Sequence, residues 1–213
     1  MPLLASEQAR YREVGGLAAE AASEALRAAR PDWSEQELAG ACARALWSRG
    51  LHAVYVLAAG AERFERYRRA PPAQVMLGAQ AVLALCARRF GLCASLSRQR
   101  RFGPAQHRSD GAAVVMDDAD AAMLALEAVA LDACETGHAL SMVYHALDSA
   151  YAYAGQPDTV RTSRQGGIHG YLAPEVAAGA HTEIILKRGM ALAFHPSLPG
   201  STVEDTFLLD GGQ

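Results

Sequence analysis

The clearest alternation of apolar and polar positions lies in the last quarter of the chain. Over residues 190–195, Met190, Leu192 and Phe194 fall on one face and Ala191, Ala193 and His195 on the other, the period of a strand. Pro, Gly and Ser in 196–201 turn the chain. Residues 202–209 then return with Val203, Asp205 and Phe207 on one face and Glu204, Thr206 and Leu208 on the other. This pattern predicts a β-hairpin. His195 projects beside two alanines, where space can open, and Glu204 comes from the returning strand.

Upstream, Tyr11, Val14, Ala18, Ala21 and Ala25 recur at helical spacing and predict a helix over 6–29, weakened by Gly15 and Gly16 and stopped by Pro31. Ser34 with Glu37 forms a capping box that opens a second helix, closed at Gly50. A strand is expected over 52–57 and a polar, irregular stretch over 60–72. Residues 75–87 and 90–96 read as paired strands joined at Arg88-Arg89, followed by a basic loop over 98–111. Helices are expected over 112–134 and 139–154, the second capped by Gly155.

The two halves echo each other. The shift that lays Gly50 on Gly155 also lays Ala45 on Ala150, Leu38 on Val143 and Leu26 on Leu131. The expectation is one α+β domain over residues 1–213, a pseudo-twofold mixed or antiparallel sheet backed by four helices.

Composition narrows the class. Apolar residues make up 51% and charged residues 20%, enough to bury a core and unlike a disordered chain. A net charge of −3 favours neither nucleic acid nor a membrane surface as partner. Ten of the 20 basic residues cluster, however: Arg63, Arg66, Arg68, Arg69, Arg88, Arg89, Arg98, Arg100, Arg101 and Arg108. Such a cluster reads as a solvated face or as a grip on an anionic group, with Arg98 the preferred candidate. Cys42, Cys86, Cys93 and Cys134 form no CxxC pair and suit free thiols in a reducing compartment. With no signal peptide legible in MPLLASEQ, and acidic residues breaking the apolar stretch 112–134, a cytoplasmic protein without a membrane partner is expected. Tyr151 and Tyr153 read as core or dimer surface, and a homodimer is expected.

The residues offer few chemistries. His195 and Glu204 read either as a general acid/base pair, the carboxylate fixing the imidazole tautomer, or as a hydrogen-bonded structural pair. Residues 163–171 (SRQGGIHGY) hold too many glycines for a regular strand interior. They read as a turn that presents amides to a ligand, or as a tight sheet crossing. Gln165 is then a substrate contact, with His169 and Tyr171 at the rim. Cys86 reads as a core cysteine or a nucleophile.

Residues 78–98 (GAQAVLALCARRFGLCASLSR), 163–171, and 189–206 with Pro196 and Glu204-Asp205-Thr206 resemble the creatinase, aminopeptidase P and methionine aminopeptidase family. The resemblance runs over most of the chain and implies the pita-bread fold, without the separate N-terminal domain that many members carry. Such members hold two divalent metals through two Asp, one His and two Glu. In this sequence the corresponding positions are Ala84, Ser95, Ser163 and His195, and only Glu204 is retained. No Asp or Glu occurs anywhere in 78–98. One carboxylate and one imidazole cannot hold a binuclear centre, so neither metal nor cofactor is expected.

Three readings follow. The first is a metal-independent enzyme for a small amino-acid- or amide-like substrate, with His195 and Glu204 as the acid/base pair and Gln165, Arg98 and Ser95 binding substrate. The second is a pseudo-peptidase acting as a binding or oligomeric scaffold. The third is a residual Xaa-Pro-type metallopeptidase.

Overall fold

A computed structural model describes residues 1–103 and 118–210. Helix α1 (Ala5–Ala28) buries a face rich in alanine, with Ala18, Ala21, Ala22 and Ala25 in the core beside Tyr11, Val14 and Leu26. Side chains this small let the helix backbone lie close against the sheet beneath it. Helix α2 (Glu35–Ser48) opens on the expected capping box: Ser34 Oγ accepts from Glu37 N at 3.1 Å, and Glu37 Oε2 accepts from Ser34 N at 2.6 Å.

Strand β1 (His52–Gly60) runs further than its apolar pattern suggested, up to a point where Gly60 is pressed against the backbone of Leu77. The polar stretch beyond it is not wholly irregular, because Ala61–Arg66 forms a short helix, α3. Strands β2 (Gln80–Arg89) and β3 (Leu92–Arg101) are joined at Phe90-Gly91 rather than at Arg88-Arg89. Both turn residues have positive φ, 56° and 82°, as a tight two-residue hairpin requires. The expected basic loop therefore begins as strand through Arg101, while its residues 104–111 lie outside the described ones.

The second half repeats the plan. Helix α4 (Asp118–Asp132) is followed by α5 (Leu140–Tyr153); the expected start of the former, 112–117, lies outside the described residues. Gly50 and Gly155 follow α2 and α5 with φ of 70° and 74°, so the positions matched in sequence are matched in conformation too. After the short helix α6 (Thr159–Thr162) come β4 (Gly166–His169), β5 (Val176–Ala177) and β6 (Ala191–Phe194). The loop of the expected hairpin carries its own small ladder, β7 (Ser197–Leu198) with β8 (Ser201–Thr202), before β9 (Asp205–Leu208) pairs antiparallel with β6.

Two antiparallel sheets result, β1-β2-β3 and β5-β4-β6-β9, each with its own apolar core. They meet where β3 passes β9. Ser97 N donates to Glu204 O at 3.0 Å, and Thr206 Oγ1 both donates to Ser95 O at 2.7 Å and accepts from Ser95 N at 3.1 Å. The glycine-rich stretch is thus an inner strand and not a turn. A Cβ on Gly166 would lie 2.2 Å from Ala193 O, and one on Gly167 2.0 Å from Val176 O. The glycines serve close strand approach. Among the described residues, no helix is long and apolar enough to cross a membrane.

Candidate functional site

The seam between the sheets is where the sequence-derived candidates converge. The ladder ends at Phe194↔Asp205, one residue short of His195 and Glu204; beyond it Glu204 bridges Ser97 of β3 and His195 N donates to Gln165 O. Glu204 is 2% exposed. Yet no hydrogen bond or ion pair joins the two side chains among the described residues. Two arginines from the segment after α3 instead meet the Glu204 carboxylate and the backbone carbonyl of His195.

Arg69 brings its guanidinium to 3.9 Å from Glu204 Oε2 and lies over the ring of Tyr55, 5.2 Å from its centroid. Tyr55 in turn donates its hydroxyl to Ser95 Oγ at 3.5 Å. Arg68 donates to Ser163 Oγ, to Gln165 Oε1 at 3.3 Å and to the carbonyl oxygen of His195 at 2.6 Å. Ala84, paired with Ser97 across the β2–β3 ladder, lines a cavity of about 20 Å³ together with both arginines. All five positions assigned to metal ligands by resemblance therefore touch this pair of arginines, line a cavity with it, or lie one residue away.

What holds the arginines in place is a carboxylate that sequence patterning gave no reason to single out. Glu35, in the first turn of α2, is fully buried. It accepts hydrogen bonds from Gly60 N and Ala73 N, both at 2.9 Å, and from Arg63. Gly60 precedes the arginine-bearing segment and Ala73 follows it, so one side chain closes the loop at both ends. In sequence, Glu35 looks like an ordinary solvated carboxylate at a helix start. Only the loop folding back over it distinguishes it.

The electrostatics follow from burial and from these cations. Desolvation pushes the Glu204 carboxyl up to about 7, although Arg69 pulls the other way. Burial, then Arg69 and Arg68, press His195 down to about 3. His169 goes down to about 4 through burial and Arg69. Both imidazoles are neutral at neutral pH.

The other candidates are spoken for. Gln165 is completely buried, accepting from Tyr151 Oη at 2.9 Å and donating to Ser163 O at 2.9 Å, so it anchors Arg68 from below. Arg98 pairs with Asp205 at 2.6 Å and reaches the carbonyls of Ser97 and Glu204 at 2.7 and 3.2 Å. Ser95 is fully buried in the seam. Tyr171 is 45% exposed and hydrogen bonds Glu7 of α1, away from His195. Cys86 is buried beside Cys93, and that contact together with burial drives its thiol pKa upward.

The donor set does not suit a pair of divalent cations. Hard cations need several oxygen ligands, whereas here a single buried carboxylate faces two guanidiniums. Among the described residues, no group of three or more His, Cys, Asp or Glu side chains is placed to hold a metal.

Comparison with solved structures settles the architecture. The chain superposes on the X-Pro aminopeptidase of Thermotoga maritima with a TM-score of 0.83, covering 99% of this chain and 60% of that one at 14% identity. This is the pita-bread fold. The prolidase of Pyrococcus horikoshii OT3 gives 0.84 at 15% identity (100% of this chain, 62% of that one). Dipeptidase PepE of Mycobacterium ulcerans gives 0.83 at 19% identity (99% and 57%). This pita-bread chain spans about 60% of the length of these structures. No family model and no curated protein matches its sequence.

Proposed function

We propose that this chain is a pseudo-peptidase, a pita-bread frame whose metal positions have been taken over by internal arginines and which acts by binding rather than by hydrolysis. The observation that carries this reading is the placement of Arg69 on Glu204 and of Arg68 on Ser163 and the His195 carbonyl. Two fixed positive charges stand where metal-dependent hydrolysis needs two exchangeable ones. They repel incoming cations and supply no bound water to attack an amide. The cavity beside them measures about 20 Å³ and is lined mostly by apolar side chains. Homodimerisation is part of the same proposal, supported by Tyr153, which stands 97% exposed on α5. So is a cytoplasmic location, which four free cysteines suit.

Hydrolysis of Xaa-Pro dipeptides by the purified chain, with Mn²⁺ or Co²⁺ supplied, tests the proposal. No turnover above the uncatalysed rate is expected. Metal-dependent turnover abolished by Glu204→Gln would overturn it and restore the peptidase reading.

One observation favours metal-free acid/base chemistry as a second reading. A buried carboxyl tuned to about 7 is poised to exchange a proton near neutral pH. In that reading Glu204 is the acid/base, and His195, neutral and not hydrogen-bonded to it, is a neighbour. Activity on small amides or guanidino compounds, lost in Glu204→Gln and kept in His195→Gln, would select it.

A further inference from the structure

Strand β9 is an edge of its sheet. Just before it, the carbonyl of Glu204 accepts from Ser97 N of β3 at 3.0 Å. From Asp205 onward its main chain pairs only with β6. Main-chain groups alternate sides along a strand. Leu209 N donates to Met190 O at 2.8 Å and Leu209 O accepts from Gly189 N at 2.7 Å, so the main-chain groups of Asp205 and Phe207 also address β6. Those of Thr206 and Leu208, like Glu204, point the other way, towards β3 and α1. Among the described residues, the N–H and C=O of Thr206 and Leu208 have no hydrogen-bond partner. An unpaired strand edge is a template for another strand.

Space adjoins that edge. Helix α1 lies on this side, where Tyr11 packs with Leu92 of β3 and Leu208. A cavity of about 280 Å³ opens between Gly15 and Gly16 of α1 and residues 206–208, with Arg12 and Asp210 at its rim. Both glycines stand inside the helix, where they cost stability relative to alanine. A Cβ on either would meet no atom of the described residues within 4 Å. Packing inside the chain gives no reason for glycine there, and the effect of both is to keep the cavity open. A cavity of about 150 Å³ holds benzene, so this one takes roughly a dozen heavy atoms.

We propose that this cavity binds about three amino-terminal residues of an extended peptide with small side chains, added antiparallel to β9 as a further strand. Every strand pair among the described residues is antiparallel. An antiparallel strand sets its amino terminus beside the carboxyl end of β9. There Asp210, 67% exposed and 3.6 Å from Arg12, offers a carboxylate to the peptide ammonium. The main chain of Thr206 and Leu208 supplies the hydrogen bonds, and the glycine pair gives the peptide backbone room. The site shares no residue with the arginine cavity and includes no metal position. The inference therefore goes beyond the pseudo-peptidase reading without resting on it.

Calorimetry and amide hydrogen exchange of the full chain with trialanine, in EDTA, test it. Trialanine is expected to bind with a Kd below about 1 mM. It slows exchange of the Thr206 and Leu208 amides at least about fivefold and leaves that of Phe207, which already addresses β6, unchanged. Gly16→Leu fills the cavity with a better helix former, so Tm is no lower than in the wild type while trialanine binding is lost. Asp210→Asn weakens trialanine about threefold and leaves N-acetyl-trialanine, which has no ammonium, as in the wild type. The proposal is overturned if trialanine does not bind, or binds without protecting Thr206 and Leu208. It is overturned equally if Gly16→Leu or Asp210→Asn binds trialanine as the wild type does. Protection of the same two amides that rises with protein concentration, without peptide, would give the edge to a second copy of the chain and overturn it too.

Discussion

Arg69 stands 3.9 Å from the buried carboxyl of Glu204. Its charge acts on three titratable groups at once: it lowers the pKa of Glu204 against the effect of burial, and it lowers those of His169 and His195 along with burial. Removing the charge as Arg69→Met is expected to move all three midpoints upward. Histidine NMR titration reads this directly, with His169 and His195 starting at about 4 and about 3. Unchanged imidazole midpoints would show that burial alone sets them.

A second carboxyl controls stability above acid pH. Glu127 on α4 faces Asp205, and burial followed by that neighbour raises its pKa from 4.5 to about 7. An acid whose folded pKa is raised contributes stability below its unfolded value and loses it as pH rises towards the folded one. The wild-type chain therefore loses stability from this group as pH rises from acid to neutral. Glu127→Gln, which keeps the hydrogen-bond donor and cannot ionise, should be the more stable protein at pH 8, with little difference at pH 4. Denaturant midpoints at the two pH values measure this, and equal differences at both would contradict it.

Strand β4 tolerates no side chain at Gly167. A Cβ there meets Val176 O at 2.0 Å, and the backbone φ of 153° disfavours any other residue. Gly167→Ala should cost at least about 2 kcal/mol. A midpoint within experimental error of wild type would show that β5 moves aside freely.

Glu35 anchors the loop that delivers the arginines. Glu35→Ala leaves Gly60 N, Ala73 N and Arg63 without their acceptor, a loss of about 3 kcal/mol for a buried hydrogen-bonded carboxylate. Hydrogen exchange should accelerate over residues 61–77 far more than in β6. A uniform increase across the chain would point to global destabilisation instead.

Much of this architecture is legible in the sequence, because it rests on local signals. The alanine face of α1, the Ser34–Glu37 box, the alternation around His195 and the matched glycines Gly50 and Gly155 each depend on residues close in the chain. The seam does not. Gln165 looked like a substrate contact because its neighbours are glycines, yet those glycines admit Val176 and Ala193, which are separated in sequence and adjacent across the sheet. Arg98 looked free until Asp205 arrived from another strand. Arg68 and Arg69 were indistinguishable from eight other basic residues. Their role depends on a loop folded back onto α2, which no periodicity encodes. That Ala84, Ser95, Ser163 and His195 stand at the positions the resemblance assigns to metal ligands is legible along the chain; that Arg68 and Arg69 lie beside them is legible only in space.

The central claim is that fixed guanidiniums occupy the place of the metals, and metal binding to the purified chain tests it most directly. Calorimetric titration with Mn²⁺, Co²⁺ and Zn²⁺, checked by elemental analysis after desalting, is expected to show no stoichiometric uptake. Arg69→Ala alone is not expected to restore a two-metal site, since one carboxylate remains. Two equivalents of tightly held metal in the wild-type chain, lost on Glu204→Gln, would contradict the account.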